Sequence, residues 1–227
     1  MKALCFLPFV FIFNFSCKTK QATAPVIDYS DFSKKIIFIQ GLNPADTQND
    51  TLGTLSIQIP HRLDTFYQWH RTSDCTQCGW NQYRFADKDY PQFAEAGFIW
   101  TYIPDSVYQI TIRHKPLKEA ADSVLLRELK KSDLDNIWFS QQNDLVSSDD
   151  FEYLRKDFKS INGHSFLLYA FTTPRGYLTN KETLFVTAAT NLKDRTLFII
   201  GECGAKDTTG FIDNMYKAIS SAEIKEK

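Results

Sequence analysis

Histidine, methionine, cysteine, glycine and proline are all scarce in this chain of 227 residues, which holds 4 His, 2 Met, 5 Cys, 9 Gly and 8 Pro. So little Gly and Pro excludes collagen-like and low-complexity architectures, and no internal repeat with a period of about 20 to 50 residues is present. A surplus of charge of one sign is also missing: 26 Lys and Arg face 27 Asp and Glu, for a formal net charge of -1. That balance argues against a nucleic-acid binder, which would carry a strongly basic face. Apolar side chain is what the sequence does have. With 43% hydrophobic and 15% aromatic residues, it can bury a core and is far too apolar for disorder.

A membrane-spanning run is absent near the start. The apolar stretch from Ala3 to Phe13 follows one basic residue, Lys2, and is short of the roughly 20 residues a helix needs to cross a hydrocarbon layer. The order of charge, apolar run and small residue reads as a signal peptide over residues 1–16. Ser16-Cys17 at its end resembles the lipobox of bacterial lipoproteins, with Asn14 and Phe15 standing where aliphatic and small residues are usual. The resemblance implies that residues 1–16 are removed and that Cys17 is acylated. Each buried methylene contributes about 0.8 kcal/mol, so several acyl chains would hold the protein at a membrane. Lys18, in place of the Asp that retains such proteins at the inner membrane, favours the outer one. Loss of the leader removes Lys2 and no acid, so charge gives no reason to grip anionic lipid and the fatty chains would do the holding.

Residues 17–30 are mostly polar, contain Pro25 and suit a tether; residues 31–227 show no second boundary and read as a single domain. Period-2 alternation marks half-buried strands in three places: Leu55, Ile57 and Ile59; Leu63, Thr65, Tyr67 and Trp69; and Tyr108, Ile110 and Ile112. The runs Phe166–Phe171, Leu184–Ala189 and Leu197–Ile200 are apolar on nearly every residue, the pattern of strands covered on both faces. Asn191 to Asp194 supplies hairpin turn chemistry between the last two. Helical spacing appears at Ala121, Leu125 and Leu129, continues through Leu134, Ile137 and Trp138 after Ser132 as an N-cap, and returns at Phe211, Met215 and Ile219 behind the capping residues Asp207, Thr208 and Thr209. The expected fold class is α+β: a largely antiparallel sheet flanked by helices, an α/β/α sandwich.

The strand ending in Ile59-Pro60, the consecutive C-terminal strands and a final helix from Phe211 to Ile224 resemble the PsbP-like and DcrB-like sandwich family over most of residues 50–224. Its members share no common active site and include lipid-anchored envelope proteins and extrinsic subunits of membrane complexes. The resemblance therefore implies an accessory or interaction role. The Cys- and aromatic-rich segment Ser73–Tyr90 lies outside the family pattern.

The densest chemical cluster runs from His70 to Trp80 and includes Cys75 and Cys78. A CxxC pair is half of a zinc site, which His70 and Cys203 could complete, although no second CxxC or closely spaced His pair is present. It can also be a thiol-disulfide centre, but Trp80 follows the pair and no βαβ pattern surrounds it. In an oxidising envelope a structural disulfide is the simplest reading, between Cys75 and Cys78 or between one of them and Cys203. The four histidines, His61, His70, His114 and His164, form no metalloprotease motif, and Gly163-His164-Ser165 lacks the glycine of a nucleophile elbow. The loop Gly201–Gly210 misses Walker spacing and reads as a capping loop. Asp87, Asp89, Asp149 and Asp150 lack calcium-loop spacing. Aromatics from Trp80 to Tyr102 suit a core first and a partner surface second.

No coherent catalytic set and no cofactor motif emerge. The expectation is a lipid-anchored, noncatalytic cell-envelope protein, an accessory or interaction module with a protein partner, on one or other side of the membrane. The alternative is a thiol-redox or metal-binding envelope protein using Cys75 and Cys78.

Overall fold

In the computed structural model the described residues are 29–40, 51–71, 80–87, 108–116, 129–134, 152–174, 182–192, 195–205 and 210–227. Along them run the strands β1 (Phe32–Gln40), β2 (Thr51–Pro60), β3 (Thr65–Arg71), β4 (Trp80–Ala86), β5 (Tyr108–Pro116), β6 (Glu152–Ile161), β7 (His164–Thr173), β8 (Thr183–Asn191) and β9 (Arg195–Gly204), then helix α1 (Phe211–Ser220) and strand β10 (Glu223–Glu226). One sheet has three strands in the order β1-β2-β10, the other seven in the order β3-β4-β5-β9-β8-β7-β6. Every pairing in both is antiparallel.

Period-2 alternation builds the main core. Ile37, Ile39, Leu55, Ile57 and Ile59 on the small sheet join Tyr83, Phe85, Ile110, Ile112, Phe166, Leu168, Val186 and Ile199 on one face of the large sheet. Helix α1 enters the same core through Phe211, Met215 and Ile219, four residues apart and buried as the helical spacing predicts. A glycine admits it: a Cβ on Gly201 of β9 would lie 2.6 Å from Met215 Sδ. The opposite face of the large sheet carries a second cluster, with Leu167, Tyr169, Phe171, Ala189 and Phe198 under Leu129. β7, β8 and β9 are thus buried on both faces, as their uninterrupted apolar runs predict.

The expected sandwich with helices on both faces is overturned, because the described residues are mostly strand, in two antiparallel sheets, with one α-helix among them. A second sheet, not a helical layer, covers part of the main core. Of the expected helix through Leu129 and Leu134, the described part is a 3-10 turn, Lys131–Leu134, that contains Ser132; Asp133 closes it by accepting the Lys130 backbone N–H at 2.7 Å. Ala121, Leu125, Ile137 and Trp138 lie outside the described residues. The C-terminal helix stops at Ser220 rather than reaching Ile224. Ser221 caps it and its Oγ accepts the Gln58 N–H at 2.8 Å, after which Ile224 pairs with Leu55 as part of β10. At the other end the cap is Gly210 in the left-handed region, φ 79°, without a side-chain cap bond; Asp207, Thr208 and Thr209 lie outside the described residues.

Candidate functional site

The far face of the large sheet changes character across its width. Over β6, β7, β8 and the Phe198–Ile200 part of β9 it is apolar; over β4, β5 and the Glu202 end of β9 it is polar yet largely buried. Alternation places Gln82 and Arg84 of β4, Gln109, Thr111 and Arg113 of β5, and Glu202 of β9 on this face, opposite in parity to Tyr83, Phe85, Ile110 and Ile112. Gln82 and Gln109 are fully covered, and Arg84 and Glu202 are 3% and 4% exposed. Burying polar groups is costly unless they are hydrogen-bonded, and these side chains bond across the strands, although Gln109 Oε1 is left without a partner. Gln109 Nε2 donates to Glu202 Oε2 at 2.6 Å, Arg84 Nε to Thr111 Oγ1 at 3.0 Å, and Arg113 Nε to Gln82 Oε1 at 3.1 Å. Each bond joins directly paired residues, so the strand register itself fixes the array.

A second polar centre closes the end of β4. Asp87, fully buried, accepts the Tyr29 hydroxyl at 2.9 Å and an ion-paired Nε–H of Arg62. Tyr29 stacks on Tyr108, centroids 3.5 Å apart and planes 4° from parallel, and Tyr108 meets Phe211 edge-on. The segment leading into β1 is thereby clamped to β4, β5 and α1. Nearby, burial raises the Tyr83 phenol from 10.0 to about 12, and it stays a neutral donor, giving its hydrogen to the Phe38 carbonyl at 2.6 Å.

A third group surrounds Tyr216 of α1. A register shift between Tyr153 and Arg155 reverses the side-chain parity of β6, so Tyr153 and Phe158 both join the far-face cluster. Arg155, Asp157 and Lys159 then point to the face that carries α1, with the Arg155 guanidinium 4.2 Å and the Lys159 ammonium 5.0 Å from the Tyr216 ring. Burial, and then the Asp157 carboxylate, push the Tyr216 phenol well above its usual range.

These arrangements position groups; among the described residues no cluster of three or more His, Cys, Asp or Glu could hold a metal ion. Of the residues singled out from sequence, Cys17, Cys75 and Cys78 lie outside the described residues. Cys203 is a buried thiol in β9 that donates to the Gly204 carbonyl at 3.5 Å. His70 sits in β3 opposite Asn81, on a cross-strand row that continues through His114 to Leu197. Cys203 is six residues further along β9 and three strands away, which at ordinary strand spacings separates the two by roughly 25 Å. They cannot ligate one ion. The buried polar array escaped the sequence reading because Gln, Arg and Thr alternating with Ile and Tyr normally mark a solvent-facing side. The one signal was that WNQYRFA and YQITIRH place such residues on the same parity in two strands.

No family profile and no curated protein matches this chain. Among solved structures, it is similar to PsbP (CyanoP) from Synechocystis sp. PCC 6803, with TM-score 0.44 and 7% identity over 90% of this chain and 98% of that one. It is also similar to LpqN of Mycobacterium tuberculosis, involved in cell envelope biogenesis, with TM-score 0.37 and 10% identity over 86% and 91% of the two chains. A protein of unknown function from Pseudomonas aeruginosa aligns with TM-score 0.41 and 10% identity over 76% and 92%. The weak PsbP-like resemblance read from the sequence is consistent with these similarities. Among the described residues no helix is long and apolar enough to cross a membrane.

Proposed function

We propose that this chain is a lipid-anchored, noncatalytic cell-envelope protein, held at the outer membrane by acylated Cys17, whose β-rich domain acts as an accessory or protein-interaction module. The leader carries this reading: one basic residue, a short apolar run and Ser16-Cys17 precede a polar stretch from Lys18 to Asp28. That stretch ends at Tyr29, which is pinned to Asp87. An anchored domain gains from such a clamp, because a pull on the tether is delivered to the core instead of peeling β1 from its sheet.

Intact-mass measurement of protein purified from the membrane fraction tests the proposal. The expected mass lacks residues 1–16 and carries acyl groups on Cys17. An unmodified chain that retains Met1 and is recovered in the soluble fraction overturns it.

A further inference from the structure

The outward face of β1 is less polar than a solvated strand requires. Ile36 and Phe38 lie on it two residues apart and are 62% and 55% exposed. Phe66 of β3 is 50% exposed at the edge of the other sheet, where its ring is 6.2 Å from that of Tyr83, whose hydroxyl bonds the Phe38 carbonyl. Single exposed hydrophobics need no explanation, but Ile36 and Phe38 side by side on one strand face, with Phe66 at the sheet edge that Tyr83 ties to β1, call for one. Lys34 lies on the same face of β1, and Lys225 of β10 lies across Thr54 from Phe38; Glu223, across Ser56 from Ile36, is the acidic neighbour. Apolar and aromatic side chains bordered by lysine suit the boundary between acyl chains and anionic headgroups.

We propose that this patch rests on the lipid surface to which the chain is anchored. The inference deepens the lipoprotein reading and rests on it. Chain length supports this occupant: the 11 residues from Lys18 to Asp28 allow at most about 40 Å between Cys17 and Tyr29, and β1 is the first strand beyond the clamp. A second copy adding its own strand along β1 would have to share the Phe38 carbonyl on that edge with Tyr83.

The test uses the full acylated chain in vesicles of phosphatidylethanolamine and phosphatidylglycerol, with the photoreactive residue p-benzoylphenylalanine in place of Phe38, Phe66 or, as a control on β6, Leu154, which is 49% exposed. Lipid adducts several-fold more abundant from positions 38 and 66 than from 154 are expected. Equal yields at the three positions, or adducts from 38 and 66 to a second protein chain, overturn the proposal. The intact mass of the same samples separates the two failures. An acylated chain without lipid adducts at 38 and 66 rejects the docked face and leaves the anchor standing; an unacylated chain rejects the anchor itself.

Discussion

Tyr29 and Asp87, 58 residues apart in sequence, are joined by a hydrogen bond of 2.9 Å from phenol to buried carboxylate. Arg62 shares that carboxylate and is itself 33% exposed, so it retains part of its hydration. Removing it strands a buried charge, and Arg62→Ala is expected to cost about 2 to 3 kcal/mol, below the ~3 to 5 of a fully buried pair. Tyr29→Phe removes one charge-assisted bond and should cost about 1 to 2 kcal/mol. Urea denaturation checks both; a lower midpoint at unchanged slope reports the loss as stability, and equal effects of the two variants would contradict the assigned hierarchy.

The legible parts of this fold were those with one dominant burial signal. FLLYAF and LFVTAA are apolar in both parities because both faces of β7 and β8 are covered, and Phe211, Met215 and Ile219 keep helical spacing because one stripe of α1 meets the core. β1 was illegible because Ser33 and Lys35 fall on its inward parity and Ile36 and Phe38 on its outward one, inverting the usual pattern. In β6 the register shift at Leu154 breaks period 2, and charged residues fall on both faces. Ile224, five residues after Ile219, already falls off the Phe211–Met215–Ile219 stripe; the cap at Ser221 and the pairing of β10 with β2 that end the helix are tertiary events. A half-buried strand with Tyr108, Ile110 and Ile112 inward would leave Gln109 and Thr111 on its wet side, whereas both are covered, and only the fold reveals their cross-strand partners.

Tyr83 predicts a specific alkaline weakness. Burial holds its phenol proton up to about 12 in the folded protein, against 10.0 for an ordinary tyrosine. Between these values the unfolded chain has released the proton and the folded one has kept it, so rising pH favours unfolding. The stabilisation is complete below pH 10.0 and fades as pH rises toward about 12, with a limiting slope of about 1.4 kcal/mol per pH unit. Tyr83→Phe should cost about 1 kcal/mol at neutral pH through the lost bond to Phe38. Its denaturation midpoints should then fall less steeply than those of the parent through this window, and parallel curves would refute the assignment.

Gly53 lies opposite Glu226 where β2 pairs with β10. Its φ is +150°, and a Cβ placed there would lie 2.2 Å from the Lys225 carbonyl oxygen, a backbone atom that cannot rotate away. Gly53→Ala should therefore detach β10 at an expected cost of about 1 to 3 kcal/mol. Hydrogen exchange should accelerate from Glu223 to Glu226, while β7, β8 and β9 keep their protection. Unchanged exchange in β10 would mean that the close approach does not govern its pairing.

Cys203 is expected to remain a thiol in the oxidised protein. Arg71 and Trp80, the strand ends that bracket Cys75 and Cys78 in sequence, pair with one another at the end of the sheet where β5 and β9 pair Lys115 with Thr196. Cys203 pairs with Tyr108 at the opposite end, seven residues from Thr196 and roughly 25 Å from Trp80 at ordinary strand rise and spacing. A disulfide requires Cα atoms within about 7 Å. The links from Trp80 to Cys78 and from Arg71 to Cys75 span at most about 7 and 14 Å, too short to cover that distance, so any bridge formed in the envelope should join Cys75 to Cys78. Alkylation under denaturing, non-reducing conditions followed by peptide mass mapping should find Cys203 alkylated. A peptide linked through Cys203 would show that the end of the sheet near Trp80 lies much closer to β9 than the strand register allows.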